Sequence, residues 1–240
     1  MSDTDQPLLQ SENLSVSVPG RLLVEGLDLT LRRGELLAVL GQNGTGKTLA
    51  LTTLAGLRTA HAGQVRLLGA DIAAMPRPSA ARHLVLLPQV IDDIFPATVM
   101  DTALIGRHPH IGRFRWESAA DRAIAARSLA TMGLLDLQER DILTLSGGER
   151  RRLAIAQVLT QSPDVYLLDE PTNHLDPQHQ LDALRVFRKA ADGGAGVIAS
   201  LHDVNLAVRF ADRCLLLFGD GRWQLGDCSE ILTEQTLSEL

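Results

Sequence analysis

A glycine-rich octapeptide carries the strongest chemical signal in this chain. It fits the pattern G-x-x-x-x-G-K-S/T and reads Gly41-Gln42-Asn43-Gly44-Thr45-Gly46-Lys47-Thr48. Its glycines let the backbone curl, so that successive N–H groups point into one anion-binding hollow. Lys47 can then reach the β- and γ-phosphates of a nucleotide, and Thr48 can place its hydroxyl on Mg²⁺. We call residues 41–48 the phosphate loop.

The segments on either side of the phosphate loop have the composition that such a loop needs. Leu36–Leu40 is a short apolar run typical of a buried strand, and residues 48–57 contain no proline, as expected of a helix. A helix that begins at Thr48 directs its first N–H groups at the phosphates. The alternative, a glycine-rich turn with a surface lysine, does not explain this context.

Two adjacent carboxylates follow another apolar run. Val165–Leu168 leads directly into Asp169 and Glu170. Asp169, at the strand end, is placed to complete the Mg²⁺ shell, whereas Glu170 is turned differently and can act as general base towards an attacking water. The alternative is that both acids cap the strand or the next helix. The phosphate loop favours the catalytic interpretation.

The residues Ser146, Gly147, Gly148 and Glu149 allow two interpretations. Ser-x-x-Glu is a capping box that opens a helix over residues 149–161. Two glycines are not needed for a cap, but they suit close approach of backbone N–H groups to an anion. From these residues alone, a simple cap and a second phosphate site are about equally supported.

Two more polar residues follow apolar runs. His202 comes after residues 196–201 and can contact a γ-phosphate and orient the water, although a lone histidine is more often structural. Gln89 follows residues 84–87 and can place its amide on Mg²⁺ or on the water. Each of these two residues is weak evidence when taken alone.

The elements that position these residues follow from periodicity. Residues 27–31 alternate apolar and polar, which predicts a half-buried strand. Arg33-Gly34 turns the chain towards Leu36–Leu40, so we expect a hairpin-like sheet ahead of the phosphate loop, joined by a strand at 64–68. A helix is expected at residues 117–132.

Further strands are expected at 84–87, 165–168, 196–201 and 214–218, with a short final strand around Trp223. Helices at 177–191 and 204–211 separate the later strands. Because strands alternate with helices, the predicted fold class is α/β with a largely parallel, covered sheet.

Composition narrows the class of protein. The chain has 240 residues, 45% of them hydrophobic, and a net charge of −6, which argues against a nucleic-acid partner. Residues 1–10 have neither the basic start nor the apolar run expected of a signal peptide, and no apolar stretch approaches the roughly 20 residues of a membrane span. Cys214 and Cys228 are expected as free thiols in a reducing compartment, with a disulfide as the minor alternative.

Taken in order, these motifs resemble those of the ATP-binding cassette (ABC) ATPase family. The matching motifs are Walker A at 41–48, the Q-loop at Gln89, the signature at 145–149, Walker B with its catalytic Glu at 165–170, the D-loop at 174–176 and the switch histidine at His202. The resemblance covers nearly the whole chain. It implies a single domain over residues 1–240, with a P-loop NTPase core, an N-terminal antiparallel β subdomain and an inserted helical subdomain at about 96–161.

The resemblance also implies a head-to-tail homodimer with two ATP molecules at its interface. Each ATP, with Mg²⁺, would lie between the Walker motifs of one chain and Ser146, Gly147 and Gly148 of the other. The resemblance therefore implies that the helix cap at Ser146 of each chain contacts the ATP held by the other chain.

The resemblance further assigns a role to each site residue. Lys47 and Thr48 would hold phosphate and Mg²⁺. Asp169 and Gln89 would complete the metal and water shell. Glu170 would activate water, and His202 would brace the γ-phosphate.

One departure from the family pattern concerns the adenine. The family has an aromatic residue upstream that stacks on the base, but Val18 stands at this position, and residues 1–40 contain no aromatic residue. Val18 could still provide an apolar contact, and Arg21 could stack through its guanidinium.

A finer resemblance connects residues 98–110, 169–176 and 201–207 with the ATPases of importers for cobalamin, ferric siderophores and haem. It implies permease subunits in the inner membrane, a substrate-binding protein as an indirect partner, and a peripheral position on the cytoplasmic face. Phe114 and Trp116 are then either anchors for the permease or core residues. Importers of molybdate, a non-transport ABC ATPase and a cassette that senses ATP without turnover are the alternatives.

Overall fold

The chain forms two sheets with helices packed around them, in a computed structural model that describes residues 6–90, 96–112 and 115–240. In chain order its strands are β1 (Leu9–Val18), β2 (Arg21–Leu31), β3 (Leu36–Leu40), β4 (Ala62–Leu67), β5 (Ala70–Asp71), β6 (Leu84–Leu87), β7 (Val165–Leu168), β8 (Gly196–Ser200), β9 (Arg213–Leu217) and β10 (Trp223–Asp227). Its α-helices are α1 (Lys47–Leu54), α2 (Arg77–His83), α3 (Val99–Leu104), α4 (Ala119–Thr131), α5 (Gly147–Gln161), α6 (Pro177–Asp192), α7 (Val204–Phe210), α8 (Cys228–Ile231) and α9 (Glu234–Glu239). Short 3-10 helices cover Ile105–His110, Leu135–Leu137 and Ile142–Thr144.

The larger sheet has the strand order β10-β9-β3-β8-β7-β6. Every neighbouring pair in it is parallel except β10 with β9. The expected α/β fold with a largely parallel sheet is therefore confirmed. Because β3, β6, β7 and β8 run in one direction, the residues that follow them meet at one edge of the sheet.

Alternation along β3 shows how this sheet is covered on both faces. Leu36, Ala38 and Leu40 pack into one hydrophobic core with α3, α4, α5 and α6. Leu37 and Val39 point the other way, into a second core shared with β1, β2 and α1. A strand buried on both faces reads as a continuous apolar run, which is why β3 lacks polar residues.

The smaller sheet is antiparallel, with the order β2-β1-β4-β5. The hairpin of this sheet joins β1 to β2 around Gly20, which has a φ of 77°. The expectation of a hairpin between residues 27–31 and β3 is therefore wrong. After Gly34 the chain enters the larger sheet, because β3 is fully buried and needs strands on both sides.

The described residues between the neighbouring strands β6 and β7 contain the three α-helices α3, α4 and α5. Gly133, at a φ of 66°, follows the end of α4, in the left-handed conformation that is common after a helix. Arg107 joins α4 to α5, since its Nε donates to Asp121 and its Nη1 donates to the Thr160 carbonyl. A boundary at about 96–161, within one domain over 1–240, stays a prediction.

The structure corrects two expectations, one about the burial of Trp116 and one about the two cysteines. The indole of Trp116 is 90% exposed, so its interpretation as a core residue is wrong, while Phe114 lies outside the described residues. Cys214 and Cys228 form a disulfide, with their Cα atoms 5.1 Å apart, instead of the free thiols we expected. The reason is the β9–β10 hairpin: Gly226 pairs with Cys214, and α8 then folds Cys228 back over it.

Within the described residues, no helix has both the length and the apolar character needed to cross a membrane.

Candidate functional site

The phosphate loop connects the end of β3 to α1, as the sequence predicts. Gly41 and Gly46 have φ values of 157° and 104°, which favour glycine. A Cβ on Gly41 would lie 2.5 Å from the Leu217 carbonyl oxygen, and one on Gly46 would lie 3.1 Å from Leu23. The glycines therefore let the loop pack closely against β9 and β2.

Lys47 is buried and lies across this loop. Its Nζ donates to the carbonyl oxygens of Gly41, at 2.7 Å, and Gln42, at 3.1 Å. Burial lowers the pKa of Lys47, while the charges of Glu170 and Asp169 oppose this shift. A phosphate in the loop would offer this ammonium a charged acceptor in place of two neutral carbonyls.

A cleft of about 640 Å³ opens in front of the phosphate loop, within the size range of small-molecule sites. Its lining combines loop residues with residues from β1, β2 and the ends of the parallel strands. These residues are Val18, Arg21, Leu23, Asn43, Gly44, Gly46, Lys47, Thr48, Leu49, Gln89, Glu170, Asn173 and His202. The structure thus brings together, in one cleft, most of the residues that the sequence singled out.

Glu170 lies at the centre of the polar side of this cleft. Its side chain is 6% exposed and accepts hydrogen bonds from Gln89 Nε2, at 2.7 Å, and from Asn173 Nδ2. His202 Nε2 lies 2.6 Å from its other carboxylate oxygen. The expected proximity of Gln89, Glu170 and His202 is therefore present in the folded chain.

The backbone of Glu170 is held from behind by a buried serine. Glu170 has a φ of 48°, a conformation that non-glycine residues seldom adopt. Its N–H donates to Ser200 Oγ at 2.8 Å, and Ser200 Oγ–H donates to Asp169 Oδ1 at 2.7 Å. One hydroxyl thus connects the two acids that end β7 to the last residue of β8.

The oxygen donors in and next to the cleft fit Mg²⁺; Thr48 and Gln89 line the cleft, whereas Asp169 is buried beside it and is not among the lining residues. The hydroxyl of Thr48, the carboxylate of Asp169 and the amide of Gln89 are hard ligands, and Mg²⁺ is usually held by one or two carboxylates with substrate phosphates and water. Among the described residues, no group of three or more His, Cys, Asp or Glu side chains could hold a metal.

Ser146 forms the capping box at the start of α5. Ser146 Oγ accepts from the Glu149 N–H at 3.3 Å, and Glu149 Oε2 accepts from the Ser146 N–H at 2.8 Å. Ser146 and Gly147 are exposed. The described residues that line the cleft include none from 146–148. The capping interpretation is confirmed, and the second phosphate site stays a prediction.

Val18 and Arg21 lie on the adenine side implied by the family resemblance. Val18 is half-buried and lines the cleft. Arg21 also lines it, but its Nε and Nη2 both donate to the Gly219 carbonyl, at 2.9 and 2.6 Å. The guanidinium is therefore held at the rim by the turn that follows β9.

Three residues of the site were missed by sequence reasoning: Asn173, Ser200 and Arg151. Ser200 left a signal, since it is a polar residue within the fully buried run of β8. Arg151 left none, because it lies among three consecutive arginines, which read as a solvated surface. In the structure it is 2% exposed and donates to carbonyls around Glu170.

A phosphate loop between a parallel strand and a helix, with acids at the end of a nearby strand, defines a P-loop nucleotide-binding protein. Comparison with known proteins narrows this class. The family model described as ABC transporter matches residues 24–173, and the chain belongs to that family. The expected family, its α/β fold and its ligands, ATP with Mg²⁺, are thereby confirmed.

Individual relatives, two import ATP-binding proteins and a solved ABC transporter, agree with this family assignment. The chain is 44% identical over 216 residues to the hemin import ATP-binding protein of Deinococcus radiodurans, covering 88% of this chain and 81% of the relative. It is 37% identical over 231 residues to the cobalamin import ATP-binding protein of Halobacterium salinarum, covering 95% of this chain but 57% of that longer relative. A solved metal-chelate type ABC transporter in an inward-facing conformation superposes with a TM-score of 0.84 at 30% identity, over 98% of this chain and 88% of that one.

Proposed function

We propose that this chain is the ATP-hydrolysing subunit of an importer that takes up a metal chelate through a separate membrane permease. The observation that carries the hydrolytic part is the carboxylate of Glu170, held by Gln89 and Asn173 beside His202 in the cleft of the phosphate loop. The names of the relatives support cobalamin or haem as cargo, and a ferric siderophore is the third chelate that the sequence resemblance implies.

The chemistry follows from the position of each group. The loop N–H groups and Lys47 hold the β- and γ-phosphates, and Thr48, Asp169 and Gln89 hold Mg²⁺, which neutralises phosphate charge when bound. Glu170 accepts the proton of the attacking water on its carboxylate. His202, whose Nε2 now faces Glu170, braces the γ-phosphate when the nucleotide is bound.

Hydrolysis in this proposal requires two copies of the chain, arranged head to tail. Ser146, Gly147 and Gly148 do not line the cleft of their own chain. Ser146 and Gly147 are exposed and Gly148 is half-buried at a helix N-terminus, where N–H groups attract anions. In the dimer they contact the γ-phosphate held by the partner chain. ATP closes the two chains together, and hydrolysis followed by product release reopens them.

Transport requires membrane subunits, with the chain bound to their cytoplasmic face and a substrate-binding protein delivering the chelate from the other side. Trp116, at 90% exposure, is the anchor that we assign to the permease contact. Trp223 is a control, because its Nε1 donates to the Glu25 carbonyl within the chain. Trp116→Ser should reduce co-purification with the permease, whereas Trp223→Phe should not.

The hydrolytic assignment is tested with Glu170→Gln. The amide keeps the shape of the side chain but cannot accept the proton of water, so turnover should fall by about 100-fold or more while ATP still binds. Phosphate release and equilibrium nucleotide binding measure the two properties. The surface variant Glu12→Gln, which changes a 52% exposed acid, serves as control. Near-normal turnover in Glu170→Gln would remove Glu170 from the role of base.

The cargo is tested separately. The chain is reconstituted in proteoliposomes with the permease recovered alongside it, and ATP-dependent uptake of cobalamin, haemin, a ferric siderophore and molybdate is measured. Uptake of one of the three chelates supports the proposal. Uptake of molybdate alone, or of none of the four while ATP is hydrolysed, would overturn the chelate assignment and leave the ATPase assignment standing.

A further inference from the structure

Arg151, in the second turn of α5, has its guanidinium surrounded by backbone carbonyls. Nε donates to Pro171, at 3.2 Å. Nη1 donates to Pro88, at 2.7 Å, and to Gln89, at 3.4 Å. Nη2 donates to Asp169, at 2.8 Å, and to Glu170, at 2.6 Å. These bonds match the five N–H donors of an arginine side chain.

The carbonyls belong to two segments that leave the ends of neighbouring parallel strands, where the Asp169 N–H donates to the Leu87 carbonyl at 2.8 Å. Residues 88–89 follow β6, and residues 169–171 follow β7. The first segment carries the amide that donates to the Glu170 carboxylate, and the second carries Glu170 itself in its left-handed conformation. By holding both backbones, Arg151 fixes the distance between the two side chains that meet in the cleft.

A lysine could not replace this arrangement. An ammonium has three donors directed from one point, whereas the planar guanidinium reaches carbonyls on opposite sides. The charge also matters. Burial lowers the pKa of Arg151 to about 10, and the nearby charges of Asp169 and Glu170 oppose that shift. The side chain is therefore a fixed cation behind the two acids of the site.

The position of Arg151 along α5 connects this support to the partner chain. Ser146 caps the same helix five residues earlier, about 7.5 Å away along the axis. A helix turn between them is rigid on this scale, so a displacement of the cap on contact with an anion displaces Arg151 with it. The carbonyls of residues 88–89 and 169–171 would follow through the bonds described above.

We propose that Arg151 is a positioning residue that couples the trans contact of the α5 cap to the placement of Glu170 and Gln89. The inference rests on the proposed function, since it presupposes hydrolysis at this cleft and a partner nucleotide at the cap. It goes further by naming the connection inside the chain. Arg151 touches no described phosphate-loop residue in these bonds, so nucleotide affinity should be largely independent of it.

The experiment compares wild type with Arg151→Lys, Arg151→Gln and a matched control, Arg107→Gln. Arg107 is another largely buried arginine of the helical segment, but its bonds go to Asp121 and Thr160, away from the cleft. Phosphate release is measured against Mg-ATP concentration, and rates are divided by the number of nucleotide-binding sites found by equilibrium titration. Thermal midpoints are recorded for each variant.

For Arg151→Lys we expect kcat per site to fall by about 10- to 100-fold, the effect of a misplaced catalytic group, with KM and nucleotide affinity within about three-fold of wild type. Arg107→Gln should keep kcat per site even if its thermal midpoint falls. The proposal is overturned if Arg151→Lys keeps kcat per site within two-fold, if Arg107→Gln loses as much, or if neither Arg151 variant folds, since the role is then structural. A wild-type chain that releases no phosphate would instead refute the proposed function.

Discussion

The hydroxyl of Ser200 offers the sharpest test of how the acids at the end of β7 are held. It is fully buried, donates to Asp169 Oδ1 at 2.7 Å and accepts from the Glu170 N–H at 2.8 Å. Ser200→Ala removes both bonds and adds no bulk. It leaves the Glu170 N–H without its partner and takes one donor from the Asp169 carboxylate.

The expected effect can be estimated bond by bond. A hydrogen bond to a charged group contributes about 1.5–3 kcal/mol, and a buried N–H left without a partner costs about 1–3 kcal/mol. Since the two effects share one oxygen, we expect Ser200→Ala to lower the free energy of unfolding by about 2–4 kcal/mol. Glu170 would also lose the bond that fixes its backbone, so kcat should fall about ten-fold or more.

The assay is urea unfolding followed by circular dichroism, together with phosphate release. Ser128→Ala is the matched control, because Ser128 is also buried but its hydroxyl donates only to the neutral Ile124 carbonyl within α4. It should change the free energy of unfolding by less than about 1 kcal/mol. If Ser200→Ala behaves like Ser128→Ala in both assays, the hydroxyl does not hold the two acids.

Three further predictions address other parts of the molecule. Ser146→Arg should abolish hydrolysis while nucleotide still binds the monomer, because the bulky cation blocks contact between this helix cap and the γ-phosphate held by the partner chain. Ser118→Arg, at the equivalent capping box of α4, is the control and should keep turnover. Val18→Tyr should tighten ATP and GTP binding alike, by up to about 10-fold, since base stacking contributes roughly 1–3 kcal/mol without reading the base edge; strong ATP preference unchanged by the substitution would contradict this. Hydrogen bonds from Ser118 and then Arg107 lower the pKa of Asp121 from 3.8 to about 2, so the contribution of its carboxylate to the free energy of unfolding is present above pH 4 and is lost as pH falls towards 2. The difference in unfolding free energy between wild type and Asp121→Asn should therefore shrink between about pH 4 and about pH 2. A difference that stays constant over this range would refute the prediction.

Much of the site could be predicted because its residues follow strands. A parallel sheet aligns the ends of its strands, so the phosphate loop after β3, Glu170 after β7 and His202 after β8 are brought together by topology. Sequence periodicity locates those strands to within a residue or two. The meeting of Gln89, Glu170 and His202 needed no knowledge of side-chain packing.

What the sequence did not reveal depends on pairings between distant segments. The disulfide between Cys214 and Cys228 depends on the register of β9 with β10. The hairpin of β1 with β2 forms because β3 pairs with β9 in the larger sheet and not with β2. Arg151 is hidden for a similar reason. The sequence has three consecutive arginines here. Which of them is buried is decided by the phase of the helix and by the packing of α5 on the strand ends.

The burial of Arg151 also explains how two acids can lie side by side in a closed environment. Asp169 and Glu170 are 2% and 5% exposed, and adjacent buried carboxylates repel each other unless cations or donors compensate. Lys47 approaches them from the phosphate loop and Arg151 from behind, so two cations face two anions before any nucleotide enters. When phosphate draws Lys47 towards itself, Arg151 keeps its bonds to the backbones that carry the two acids and moves only together with them. A cation held by five backbone bonds is suited to that constant role, whereas the flexible Lys47 is suited to follow the phosphate.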